Sequence, residues 1–423
     1  MHLPDMFMGT AIICALGADA AVCPPAPPGV SNPYGAASNT SLTQAYYPAT
    51  ADCVEYMVPI TIAYDQVTFN FTQWEDDYQL EQFLADATTR AGADFPTIVS
   101  GTTPASGSYE IAASFCTPKK PNGKEKTVVL ATHGIGPGRE HWNSAYKPEE
   151  YNFVQWAIGQ GYSVFLYDRL GCGLSSKLVP ISPDTSCNIL MFDFRISGYQ
   201  AQLNTHVAVL QQLATIIKGG EYTSDIGKPS KLALMGFSFG SYITHNTIAT
   251  YPELADAVIL TAIGLNLTVG VNGNGLLRSF VPRIASLQDA TRFGELDTGY
   301  ITWVDKFAQL ENYFHYPYYE TGTIDYVEGV KQAFSIGEFL TFPTVISAGN
   351  FTGAALAITA ETDYIVCDGW CPGIYDEPAE TLYSNAKSFE RVLHPNASHS
   401  INFHFNATGA YKVITDFLGS NGL

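Results

Sequence analysis

The ten residues Lys231-Leu-Ala-Leu-Met-Gly-Phe-Ser-Phe-Gly240 constrain this chain more tightly than any others. An apolar run suited to a buried strand ends at Met235, and a helix-like pattern, Tyr242 to Thr250, begins just past Gly240. Only Gly-Phe-Ser-Phe-Gly separates the two, so the chain must pass from strand to helix almost at once. A turn this tight holds its central residue, Ser238, under backbone strain. Glycines two before and two after it remove the side chains that would collide. The turn needs a strand in front and a helix behind, which is the repeating unit of an α/β sheet.

The same rhythm runs through much of the chain. Thr127 to Ala131, Tyr162 to Tyr167, Ala257 to Leu260, Ala354 to Ile358 and Phe389 to Leu393 are short runs that suit strands of a parallel sheet. Helical periodicity falls at Glu150 to Ile158, Phe192 to Ile217 and Ala410 to Leu418. This predicts an α/β fold with a mostly parallel central sheet and helices on both faces. The rhythm stops over 265–350, a stretch dense in aromatics that includes Tyr300 to Trp303 and Tyr313 to Tyr319. A mostly helical cap insertion is expected there, its aromatics mostly packing a small core of their own.

Upstream, residues 21–50 are rich in Pro, Ala, Gly and Ser and read as an extended arm. A strand-like alternation over Val58 to Phe71, a helix over Trp74 to Ala91 and a strand over Tyr109 to Phe115 follow. The expected organisation is a signal peptide over 1–20 and an N-terminal extension with an added strand and helix over 21–107. The α/β core then runs over 108–264, is interrupted by the cap over 265–350, and resumes over 351–423.

Several features point to secretion. The apolar run Met6 to Leu16 is too short to span a bilayer and is followed by Ala18-Asp-Ala20, small residues that suit cleavage, although no Lys or Arg precedes it. Asn-x-Ser/Thr sequons at Asn39, Asn70, Asn266, Asn350, Asn396 and Asn406 mark candidate glycosylation sites, Asn70 and Asn266 being favoured and Asn396 disfavoured for its closeness to His399. Short spacings make Cys172–Cys187 and Cys367–Cys371 the natural disulfide candidates, with Cys53–Cys116 third and Cys23 left over. The formal net charge of −19 argues against nucleic acid or an anionic membrane as partner. No later stretch has the ~20 apolar residues of a membrane span, and no clustered Cys/His spacing points to a metal.

The serine of the tight turn becomes chemically useful with a base, and the base with an orienting carboxylate. Both belong on loops after later strands, in the order Ser, Asp, His. Asp363 follows the strand ending at Ile358, with Glu361, Asp368 and Asp376 as rivals. His399 follows the strand ending at Leu393. His394, directly after that strand, reads as structural, and His404 is expected inside the last helix; both should be dispensable for activity. Two backbone donors must face a developing oxyanion. Phe239 supplies one, and Ile135, in Thr132-His-Gly-Ile-Gly136, is the choice for the other; His133 reads as a structural loop histidine. Phe237 and Phe239 flank the serine, and Phe237 is expected to contact the substrate.

These motifs together resemble the α/β-hydrolase fold-1 superfamily, especially secreted fungal esterase- or lipase-like serine hydrolases. The resemblance covers residues 109–420 and rests on His133 to Gly136, Asp168-Arg-Leu-Gly-Cys-Gly173, Gly236 to Gly240, Glu361 to Asp363 and Ser398-His399. It implies a Ser238–Asp363–His399 triad, no cofactor, and a structural role for the Asp168–Gly173 stretch in bracing the oxyanion loop. Ser398 stands where such proteins often have Gly. A serine at the elbow argues against epoxide hydrolases and haloalkane dehalogenases, which use a carboxylate there. The expected substrate is a small-molecule ester, apolar or aromatic. Acyl transfer, or tailoring hydrolysis of a thioester, lactone or C–C bond, uses the same triad and is the alternative; a non-catalytic binding protein on this scaffold is the third reading.

Overall fold

In the computed structural model, which describes residues 46–88, 98–176, 196–266, 273–342 and 344–423, the apolar runs form strands. The expected signal peptide, with Cys14, Cys23 and Asn39, lies outside the described residues. So does Cys187, and with it the pairing of Cys172 with Cys187.

In chain order the strands are β1 (Ala51–Phe69), β2 (Val99–Pro118), β3 (Thr127–Thr132), β4 (Ser163–Tyr167), β5 (Lys231–Phe237), β6 (Ala257–Thr261), β7 (Pro282–Ile284), β8 (Tyr300–Trp303), β9 (Phe334–Ser335), β10 (Ala354–Ala360) and β11 (Ser388–His394). Eight of them build the central sheet in the order β1-β2-β4-β3-β5-β6-β10-β11. Its pairs from β4 to β11 are parallel, while β2 runs antiparallel to β4 and β1 antiparallel to β2. Every residue of β3, β4, β6 and β10 is buried. Since alternate side chains point to opposite faces, both faces of the sheet are covered. The helices Phe153–Gln160 and Ala407–Ser420 pack together, as do Leu203–Gly219 and Phe239–Thr250.

Where the sequence pattern suggests strands over Val58 to Phe71 and Tyr109 to Phe115, the structure has a longer antiparallel ribbon of β1 and β2. The outer half of β2, mostly Ser, Thr and Gly, is exposed or half-buried along its length, so no apolar alternation marks it. Cys53 and Cys116 face each other in this ribbon and are disulfide-bonded, and Cys367 is bonded to Cys371. The helix expected from Phe192 begins at Leu203 instead. Before it, the Gln202 amide donates to Val67 O at 2.9 Å and accepts from Val67 N at 2.8 Å, pinning that residue to the ribbon.

Between β6 and β10 lie six short helices, among the described residues, together with a small antiparallel sheet, β7-β8-β9, so the insertion is mostly helical. The aromatics of this segment pack on one another: Phe280, Trp303 and Phe334 have ring centroids 5.1–5.8 Å apart. Among the described residues no helix is long and apolar enough to cross a membrane.

Candidate active site

β5 ends at Phe237 and the helix Phe239–Thr250 starts two residues later, leaving Ser238 alone at the corner with φ 53° and ψ −120°. A positive φ is strained for a residue with a Cβ. The strain is held by Ser238 N, which donates to Thr261 O at 2.9 Å. The elbow also explains its glycines: a Cβ on Gly236 would lie 2.3 Å from Gly240 O, and one on Gly240 would lie 2.4 Å from Thr132 O.

Asp363 sits three residues past β10 and caps the short helix Tyr364–Cys367, its Oδ1 accepting from Val366 N at 2.9 Å. It is fully buried, whereas its rivals Glu361, Asp368 and Asp376 are exposed. The Cys367–Cys371 disulfide closes the loop that follows, and Gly369 N donates to Asp363 O at 3.0 Å.

His399 lies on the loop after β11. Its Nδ1 is 2.8 Å from Asp363 Oδ2 and its Nε2 is 2.8 Å from Ser238 Oγ. A carboxylate at Nδ1 requires the proton on that nitrogen, which leaves Nε2 bare to accept from the serine hydroxyl. The ring meets the edge of Tyr313 with centroids 4.9 Å apart and lies 5.2 Å from that of Phe237. Phe237 is itself buried and stacks on His141 at 3.9 Å. It supports the imidazole and presents no open surface, which corrects its expected role as a substrate contact.

His404 also departs from expectation. It precedes the last helix, after a tight turn over Ile401–Phe403, and is fully buried. Its Nε2 accepts from Ser398 N at 3.2 Å and from His315 N at 3.3 Å, and its Nδ1 donates to Ser400 O at 2.7 Å. Burial holds it neutral, with its pKa down to about 3. His394 ends β11, with Nε2 2.8 Å from Asn406 O.

Opposite the serine, Phe239 opens its helix, so its N–H has no partner within that helix. The N–H of Ile135 belongs to the peptide whose carbonyl is Gly134 O. That oxygen accepts from His133 Nδ1 at 2.9 Å and from Arg169 Nη2 at 3.1 Å. Because the peptide is planar, anchoring its oxygen also fixes the direction of the Ile135 N–H. His133 Nε2 in turn accepts from Arg169 N at 2.9 Å. The Arg169 guanidinium lies 5.0 Å above the ring of Phe239, so one side chain touches both proposed donors' surroundings.

Arg169 is fully buried and paired with Glu338, which His206 Nε2 also contacts at 2.6 Å. Burial alone would raise the Glu338 carboxyl, yet Arg169 and His206 hold it down at about 2. Burial lowers the pKa of His206, against the opposing pull of Glu338. Glu338 comes from the segment between β6 and β10, on the helix Ile336–Thr341. Ser335-Ile-Gly-Glu338 is a capping box, a pattern readable in the sequence; nothing in the sequence says that its glutamate reaches Arg169.

Residues 128–408 match the model of a family described as the alpha/beta hydrolase family. Similar solved structures include an esterase from Exiguobacterium antarcticum (14% identity, 74% of this chain and 96% of that one, TM-score 0.48). A bromoperoxidase from Bacillus anthracis is alike at 16% identity, with 74% and 96% covered and a TM-score of 0.47. An alpha/beta hydrolase from a Penicillium species is alike at 15%, with 74% and 94% covered and a TM-score of 0.44. No curated protein matches the sequence.

Proposed function

The chain belongs to the α/β-hydrolase family, and on that premise we propose that it cleaves a carboxylic ester through an acyl-enzyme, with Ser238 as nucleophile, His399 as base and Asp363 as orienting acid. One observation carries this reading: the unbroken hydrogen-bonded line from Asp363 through His399 to Ser238 Oγ, with the serine on a strained corner.

In the proposed reaction Ser238 Oγ attacks the ester carbonyl while His399 Nε2 takes its proton. The negative charge that develops on the carbonyl oxygen falls to the N–H groups of Ile135 and Phe239; each such donor is worth ~10²–10³ in rate at sites of this kind. Collapse expels the alcohol, which takes the proton from His399. Water then repeats the sequence and releases the acid. Asp363 stays ionised and stabilises the imidazolium. The apolar cap residues around Tyr313 support an apolar or aromatic ester as substrate.

Rapid mixing with a p-nitrophenyl ester tests this reading. It predicts a burst of nitrophenol and a transient mass increase equal to one acyl group on the Ser238 peptide. Turnover with no acylated peptide at any time would contradict it.

Export is proposed alongside the activity. The Cys53–Cys116 and Cys367–Cys371 disulfides support an oxidising compartment. Exposed sequons at Asn70, Asn350 and Asn396 are compatible with glycosylation there.

A further inference from the structure

Because a peptide is planar, the direction of its N–H is settled by the positions of its two Cα atoms and one rotation about the line between them. For the peptide that carries the proposed oxyanion donor, Ile135 N–H, each of these is held by a different neighbour. Its near end is Gly134, packed so closely on the elbow that a Cβ there would lie 2.9 Å from Ser238 Cβ. Its rotation is set by His133 Nδ1 and Arg169 Nη2 on Gly134 O. The far end is held from the inserted segment. Tyr313 Oη donates to Ile135 O at 2.7 Å, and Gln332 N donates to Gly136 O. Three consecutive carbonyls of the oxyanion loop are thus each bound, the first by the core and the next two by the insertion.

Tyr313 is placed for this by its helix, Lys306–Tyr313. Asp305 caps the start, its Oδ1 accepting from Phe307 N at 2.9 Å and Ala308 N at 3.0 Å. Asn312 pins the other end, its Nδ2 donating to Ser279 O at 3.1 Å and its Oδ1 accepting from Ser279 Oγ at 2.8 Å. Tyr313, the last residue of the helix, is fully buried, and burial raises its phenol, so the hydroxyl keeps its proton and donates. The residue faces the base as well. Its ring stands at 89° to that of His399, with centroids 4.9 Å apart, and its carbonyl accepts from Ser400 N at 2.9 Å.

A buried phenol must find some acceptor, and most carbonyls would serve. What sets this one apart is that its acceptor belongs to the residue whose N–H is the proposed donor. The same tyrosine also holds Ser400, the chain neighbour of the base. We propose that Tyr313 is a positioning residue of the reaction, its hydroxyl holding Ile135 so that the N–H meets the oxyanion in register with His399. The inference rests on the serine-hydrolase reading and adds to it a residue of the insertion.

Tyr313→Phe provides the test, since it removes the hydroxyl while keeping the ring on His399 and the carbonyl on Ser400 N. Outright loss of an oxyanion donor costs ~10²–10³ in rate. With Gly134 O and Gly136 O still held, the peptide loosens without leaving, so kcat for p-nitrophenyl butanoate should fall about tenfold. KM should change by no more than about twofold, as for an interaction made only in the transition state. Butaneboronic acid, a tetrahedral mimic of that state, should bind more weakly by a similar factor, whereas butanoate, which is planar, should inhibit both enzymes alike. A tyrosine that serves stability alone lowers the urea midpoint but leaves kcat per folded enzyme and boronate affinity unchanged. That result overturns the inference, and so does an effect confined to KM. Tyr313→Met takes its place if Tyr313→Phe does not fold; failure of both to fold makes the hydroxyl a stability element and overturns the inference too. Fluorophosphonate labelling of the wild type separates the two levels of failure. If the wild type labels at Ser238 but leaves the butanoate ester intact, the labelling rate takes the place of kcat, with the same expectation. A wild type that labels, beside a Tyr313→Phe that matches it in rate and boronate affinity, overturns the positioning role alone. A wild type that does not label overturns the serine-hydrolase reading and this inference with it.

Discussion

His404 Nε2 accepts the backbone N–H of Ser398 at 3.2 Å, and through Nδ1 the same ring donates to Ser400 O, so one buried imidazole ties down both chain neighbours of His399. His404→Ala removes both ties and leaves their backbone partners unpaired. A shift of about 1 Å in a reacting group costs roughly 10²-fold. His404→Ala is therefore expected to lower kcat ~10–100-fold, with fluorophosphonate labelling slowed in parallel. His394→Ala is the control, because His394 contacts Asn406 O, away from the serine. Equal activity of the two variants would remove the positioning role.

The buried Arg169–Glu338 pair makes a second prediction. Removing one partner of such a pair leaves an uncompensated charge and costs ~3–5 kcal/mol. Glu338→Gln should lower the urea midpoint accordingly. Arg169→Lys keeps the charge but loses the fork that reaches Gly134 O and Glu338 together. It should reduce kcat more than it raises KM, and weaken a boronic acid that mimics the tetrahedral intermediate by a similar factor. A change confined to KM would show that Arg169 does not act on the oxyanion peptide.

Stability should fall with acid in two windows. His245 is buried, with Nδ1 2.8 Å from Tyr383 Oη and Nε2 2.8 Å from Ile346 O, and burial lowers its pKa to about 4. In the unfolded chain a histidine titrates near 6.5. Between these values the unfolded state binds a proton that the native state refuses, so stability drops as pH falls, by about 1.4 kcal/mol per pH unit. His404 acts in the same direction, down to about 3. Glu338 adds a lower window: its contribution is present above about 4.5 and is lost as pH falls towards 2. Urea midpoints measured from pH 7 to pH 5 should decline, and less steeply in His245→Phe. Parallel slopes would mean that His245 is not the group responsible.

Among the sequons, sequence context favours Asn266 as a glycan site, and the structure overturns this. It is buried, and its amide donates to Glu377 O at 3.2 Å. The exposed Asn70 remains suitable. Peptide mapping of secreted protein should find a glycan at Asn70, none at Asn266, and both the Cys53–Cys116 and Cys367–Cys371 bridges. A glycan on Asn266 would mean that the loop after β6 packs differently.

What the sequence discloses, and what it hides, follows from how local each signal is. The elbow around Ser238 is set by residues adjacent in the chain, and Asp363 and His399 lie where the strand rhythm leads, so all three are legible. His404 is not: its value depends on a turn that folds back on Ser398, and the helical pattern after it masks that turn. Glu338 acts across the boundary between insertion and core, and no periodicity encodes which side chain it meets there. Phe237 misleads because its flank position next to the serine is visible in sequence while its burial between two imidazole rings is not.

The central claim is that Ser238 is a nucleophile activated by His399. Its most direct test is fluorophosphonate labelling of the purified protein, mapped by mass spectrometry, for wild type and for Ser238→Ala. The account predicts one adduct per chain, on Ser238, absent from the variant, with ester turnover lost by ~10⁴-fold or more and the fold unchanged by circular dichroism. An adduct on another residue, or near-normal turnover by Ser238→Ala, would contradict it.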